Sequence, residues 1–96
     1  MHYADKVKRA GKIAIDMKLI PKLGDRLAFL YAVLEYLTDG GRQEIIITAK
    51  ELAEAINKPS IWVYRNLKKL QKTGYITVKG EAGKGYIIRV NQAVSQ

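Results

Sequence analysis

The sequence predicts an α+β domain, with helices through most of its length and a β-hairpin near its end. Three observations predict it. Apolar residues recur three and four apart through the first third of the chain, as one face of a helix requires. Thr48 and Glu51 have the spacing of a capping box, in which each side chain satisfies an amide near the start of a helix. Residues 75–78 and 86–90 are rich in β-branched and aromatic side chains and flank the glycine-rich stretch 80–85, the pattern of two strands joined by a turn. A chain of 96 residues has room for one core, burying about two thirds of the surface its unfolded form exposes.

The elements follow in order. Over residues 3–20, Tyr3, Val7, Ala10, Ile13, Ala14, Met17 and Ile20 form one stripe with lysines and Arg9 opposite, so a basic amphipathic helix is expected there. Pro21 and Gly24 interrupt it. Asp25 is expected to cap a second helix reaching about Thr38. That helix carries Leu27, Leu30, Tyr31, Leu34 and Leu37 on one face and Phe29, Val33 and Tyr36 on another, so it is buried from two sides, the second covered by the first helix or by another copy of the chain. Asp39, Gly40 and Gly41 end it. Ile45, Ile46 and Ile47 suit a short strand, and the capping box opens a third helix. The organisation expected is an N-terminal packing or dimerisation extension over residues 1–24, a domain over 25–91 and a tail over 92–96.

Residues 48–76 have the spacing of a helix-turn-helix. Ala53 is small where two helices must approach. Asn57, four residues on, stands where the turn demands positive φ, and Val63, six further, is the apolar contact that locks the next helix. Pro59 fixes φ at the start of that helix, and Leu67 and Leu70 continue its inward stripe. By subtraction Ile61, Trp62, Arg65, Lys68, Lys69 and Lys72 point outward, with Ser60 and Tyr64 at the margins.

With Glu51, Leu52, Ala53, Ile56, Val63, Arg65, Leu67, Leu70, Gly74, Tyr75 and Ile76 followed by a glycine-rich hairpin, residues 25–90 resemble the winged helix-turn-helix regulators, MarR-like and PadR-like proteins among them. The resemblance implies a three-helix core with a C-terminal β-hairpin wing, to which this chain adds an extra N-terminal helix. It implies that the second helix of the motif enters the major groove of DNA, with Ser60, Ile61, Trp62, Tyr64, Arg65 and Lys69 facing the groove and Lys79 and Lys84 on the wing. Lys58 departs from the family pattern, standing in the turn where an apolar residue is usual. Trp62 departs as well, replacing a small hydroxyl residue; it either contacts thymine methyls or sugar, or packs onto Tyr64 or a neighbouring loop.

Charge bears on the same reading. The net charge is +8, divided as +4 over residues 1–24, −3 over 25–57 and +7 over 58–96. A basic segment beside an acidic one suits a polyanion-binding face, although lysine-rich surfaces also serve solubility. Arg65 is the expected base reader, since a guanidinium can bond twice to a guanine edge, while the lysines hold phosphates.

Other chemistries find no support. Cysteine is absent, which removes disulfides, thiolate metal sites and thiol nucleophiles. The glycine-rich stretch fails as a P-loop because Lys84 is followed by Gly85 and Tyr86 rather than by a hydroxyl residue opening a helix. His2 has no second ligand for a metal, and Glu51 and Glu54 have no base or nucleophile beside them. The longest apolar run, 27–34, is too short for a membrane span, and the modest stripe of the first helix argues against surface attachment. The chain is therefore expected to be a non-enzymatic, cofactor-free and metal-free protein of the cytoplasm, associated with the nucleoid, with no small-molecule ligand. It is expected to bind double-stranded DNA as a homodimer and to regulate transcription. A plasmid or viral partition or replication-site protein is the alternative, and a protein- or RNA-interaction module the alternative of another class.

Overall fold

The computed structural model describes residues 3–81 and 84–91. His2, the hairpin tip at 82–83 and the tail at 92–96 lie outside the described residues, as do the expectations attached to them. Helix α1 spans Tyr3–Ala10, much less than the stripe predicted. Gly11 takes φ +69°, the left-handed conformation that ends a helix, and the chain runs without regular structure to Asp16. There the Asp16 carboxylate accepts the Lys18 amide at 2.9 Å and opens a single 3₁₀ turn, Met17–Leu19. The 3.6-residue stripe survives this break because Ile13 and Ile20 pack against the same core as Tyr3 and Val7. Periodicity alone therefore overestimated the helix.

Pro21 does not interrupt a helix but opens one. It lies in the first turn of the short α2, Ile20–Leu23, where its missing N–H goes unneeded. Helix α3 spans Asp25–Leu37. Its N-cap is Gly24 rather than Asp25, whose carboxylate makes no capping bond and instead sits in the first turn beside the helix's positive end. The far end is as expected: Thr38 caps the helix, and Asp39, Gly40 and Gly41 all adopt positive φ. The Thr38 hydroxyl, fully buried, donates to the Glu35 carbonyl at 3.3 Å and accepts the Gly41 amide at 3.1 Å.

Strand β1, Ile45–Ile47, leads directly into α4, Ala49–Ile56, through the capping box: Glu51 N–H donates to the Thr48 hydroxyl at 3.0 Å and Thr48 N–H to the Glu51 carboxylate at 3.4 Å. Helix α5 spans Ser60–Lys72. Strands β2, Ile76–Glu81, and β3, Gly85–Val90, form the hairpin. Tyr75, expected to begin β2, is instead buried just before it, its ring edge-on to Tyr31 at 5.6 Å.

The sheet is antiparallel with β3 central, β1 on one side and β2 on the other. Ile45 lies opposite Ile88 and Ile47 opposite Tyr86, while Ile76 pairs with Val90 and Val78 with Ile88. The period of two sends Ile45, Ile47, Tyr86, Ile88 and Val90 inward and leaves Ile46 and Ile87 on the outer face. Leu30, Leu34 and Leu37 of α3, Leu52 of α4, and Val63 and Leu70 of α5 close the core against that inner face.

Segment 3–23 packs onto this core rather than apart from it. Helix α1 lies against α3 and α4, Leu19 is buried, and Lys6 sits 5.5 Å over the Tyr36 ring. Both apolar faces of α3 are thus covered largely from within one chain. No helix among the described residues is long and apolar enough to cross a membrane.

Candidate nucleic-acid interface

A tight turn places α5 across α4. Asn57 adopts φ 56° and ψ 50°, the left-handed conformation its position demanded, and the amides of Asn57 and Lys58 both return to the Ala53 carbonyl. Pro59, extended at φ −63° and ψ 148°, precedes the first turn of α5, and its carbonyl accepts the amides of Trp62 and Val63. Val63, Leu67 and Leu70 then face inward. The orientation of the opposite face follows from these three anchors.

On that opposite face Ser60, Arg65, Lys68, Lys69 and Lys72 are exposed, Ile61 is 54 % exposed and Tyr64 37 %. Trp62 is less exposed than these. Its ring is half-buried edge-on to Phe29 of α3, with centroids 6.5 Å apart, and not against Tyr64. Lys58 sits 5.5 Å from the Trp62 ring, which gives the unusual cation of the turn an aromatic surface to lie on. Asn66, buried on the same helix, donates to the Trp62 carbonyl at 2.8 Å.

The hairpin is fixed to α5 by side chains that spacing rules do not single out. Gln71 accepts the Val78 amide at 2.6 Å, bonding the last turn of α5 to β2. Asn91 donates to the Gly74 carbonyl at 3.0 Å and to the Thr77 hydroxyl at 2.9 Å, while its own amide bonds the Tyr75 carbonyl at 2.9 Å. Gln71 and Asn91 lie at the margins of elements, and only the tertiary placement of their partners identifies them. Lys79 and Lys84 are exposed on the hairpin. Gly80 must be glycine: its φ is +101°, and a Cβ there would stand 2.6 Å from the Gly85 carbonyl oxygen.

Between α5 and the hairpin lies a cleft of about 360 Å³, lined among others by Tyr64, Leu67, Lys68, Val78, Gly80 and Tyr86. The Lys68 ammonium lies 4.6 Å from the centroid of the Tyr64 ring. A hydrogen bond to the Tyr64 side chain, and then the attraction of its oxygen, hold the Lys68 pKa above the usual lysine value. Burial raises the pKa of Tyr86, and the charge of Tyr64 adds to it, while Lys68 pulls the other way. Lys68 thus brings a cation to the cleft at neutral pH, and burial keeps the Tyr86 hydroxyl protonated.

No known protein family, curated protein or solved structure was found to match the chain. What the site can do rests on its own chemistry. Among the described residues no group of three His, Cys, Asp or Glu side chains is placed to hold a metal. Among the described residues, the exposed polar side chains of α5 and the hairpin are cations, amides and hydroxyls, beside the exposed apolar Ile61 and Ile87.

Proposed function

We propose that the chain is a winged helix-turn-helix protein that binds double-stranded DNA, with α5 in the major groove and the β2–β3 hairpin as the wing. One observation carries the reading: Arg65, Lys68, Lys69 and Lys72 stand exposed opposite the buried stripe of α5, and the hairpin that Gln71 bonds to the same helix bears Lys79 and Lys84. Cations gathered on two elements held in fixed relation match a duplex, whose phosphates are regularly spaced, better than they match a flexible anion. The order of elements supports it, with a strand leading into two helices joined by a tight turn, and a hairpin whose last strand pairs with that first strand.

In this reading Arg65 reads base edges, Ser60, Ile61 and Tyr64 line the groove, and Lys68, Lys69 and Lys72 hold phosphates. Trp62 supports the start of α5 through Phe29. The role is regulation of transcription at the nucleoid. A homodimer belongs to the proposal through the half-site logic of this motif, which sets two recognition helices about one DNA turn apart. The two apolar faces of α3 no longer argue for it, because α1, α2 and α5 pack around that helix. Sedimentation equilibrium at tens of micromolar tests the pairing, and a monomer mass removes it.

The interface is tested by fluorescence anisotropy with random duplex DNA, single-stranded DNA and duplex RNA over a salt series. Duplex DNA is expected to bind best, with affinity falling steeply as salt rises. The double variant Lys68→Ala/Lys69→Ala lowers the log–log slope by about 1.8, from about 0.9 per phosphate lost. It weakens all sequences alike, whereas Arg65→Ala chiefly erodes preference for a selected site, by about 1–3 kcal/mol. Absence of duplex binding at low salt sinks the proposal. Binding that ignores salt points instead to a protein partner on the Ile61 side of α5.

A further inference from the structure

Tyr86 is 93 % buried and belongs to the core. Buried tyrosines ordinarily satisfy their hydroxyl with a partner inside the protein. The Tyr86 hydroxyl bonds no described residue, yet no fully buried side-chain nitrogen or oxygen among the described residues is left without a partner. The hydroxyl is therefore the end of the side chain that solvent reaches, and the space Tyr86 lines is the cleft between α5 and the hairpin. Opposite it stand the Lys68 ammonium and the Tyr64 side chain, held together at 4.6 Å. A positive charge beside two hydroxyl donors, over a floor of Leu67 and Val78, suits one tetrahedral monoanion better than a metal or a neutral ligand.

A helix in the major groove and a wing in the adjacent minor groove straddle one sugar-phosphate strand, because a single strand separates those two grooves. Whatever lies between helix and wing faces that strand. We infer that the cleft between α5 and the hairpin is a phosphate subsite, in which Lys68 neutralises one backbone phosphodiester and Tyr64 and Tyr86 donate hydrogen bonds to its oxygens. The inference rests on the DNA-binding reading above and adds to it a contact from β3, inside the core, that neither the charge pattern nor the helix face assigns. Burial keeps the Tyr86 hydroxyl protonated and hence a donor, and Lys68 stays charged well above neutral pH. Because phosphate contacts position without reading sequence, the cleft sets the register of the wing against α5 and not the choice of site.

The test uses the full chain and a short random-sequence duplex, by anisotropy over a salt series. Tyr86→Phe removes one oxygen and leaves the ring in the core, so its melting temperature stays close to that of the parent. Its duplex affinity falls about tenfold, as expected for one hydrogen bond to a charged group, with the salt slope unchanged because no charge is lost. Lys68→Gln on the exposed rim lowers the slope by about 0.9. Once Lys68 is replaced, Tyr86→Phe costs less than it does alone, since both groups serve one phosphate. Duplex binding by the parent chain that Tyr86→Phe leaves within about twofold overturns the cleft and spares the DNA reading. Failure of the parent chain to bind any duplex overturns both.

Discussion

Both ends of the chain are basic, with net charges of +4 over residues 1–24 and +7 over 58–96. They use their charge on different foundations. Helix α1 is 8 residues long and buries none of them fully, whereas the 13-residue α5 buries Val63, Asn66, Leu67 and Leu70. The cations of α5 are therefore fixed in orientation by three apolar anchors and a bonded hairpin. Those of α1 ride on a short helix held by partly buried Tyr3, Ala4 and Val7. Packing on the opposite face sets where each charge points, and that packing is deeper beneath α5 than beneath α1.

The largest effect expected from this contrast is on stability. Leu70→Ala, at a position with no exposure, should cost about 2–5 kcal/mol in urea unfolding. Val7→Ala on half-buried α1 should cost no more than about 1 kcal/mol. Equal losses would mean that α1 is as integral to the core as α5, and the comparison would fail. A finer division separates two glycines of positive φ. Gly80→Ala should cost about 2–4 kcal/mol and weaken duplex binding, since its Cβ would meet the Gly85 carbonyl oxygen at 2.6 Å and push the hairpin away from α5. Gly11→Ala has nothing within 4 Å of the added Cβ, so it should cost only the left-handed penalty of about 1–2 kcal/mol. If the two losses match, the hairpin is no more tightly built than the segment after α1.

The same contrast governs what could be read in the sequence. Residues 48–76 were legible because their boundaries are chemical: a capping box at Thr48 and Glu51, a left-handed turn at Asn57, a proline at 59. Each signal acts locally, and the structure places each where its local chemistry requires. In residues 3–24 the only guide was apolar spacing, and spacing persists across a break when both halves pack on one core. Gly11 marks the break, but glycine is tolerated within helices and does not by itself end one. Asp25 misled in the opposite way, being a strong capping type preceded by Gly24, whose positive φ took the capping position itself. Trp62 was undecidable on its own helix, because its partner Phe29 lies 33 residues away in sequence. The cleft was illegible for the same reason, since Tyr86 reads as an ordinary inward strand residue until α5 is laid beside it.

The smallest effect is the most direct probe of how the N-terminal segment docks. Tyr31 has its pKa raised above the usual tyrosine value, first by burial, then by the charges of Glu35, Tyr75 and Asp16. Asp16 belongs to the N-terminal segment, the others to the body. The folded chain thus holds the Tyr31 proton more tightly than the unfolded chain does, and burial gives Tyr86 the same sign. Stability from both groups is fully present below the unfolded tyrosine pKa of about 10 and is lost as pH rises beyond it, so unfolding curves should be flat in this respect at neutral pH and weaken above about 10. Asp16→Asn keeps a side chain able to cap the 3₁₀ turn while removing the charge. The Tyr31 ring carbon shift, followed by NMR titration, should then move its midpoint down while that of Tyr86 stays in place. A midpoint for Tyr31 that ignores Asp16 would mean that the 3₁₀ turn does not sit against α3 in solution, and the N-terminal basic segment would then be separable from the body in position as well as in packing.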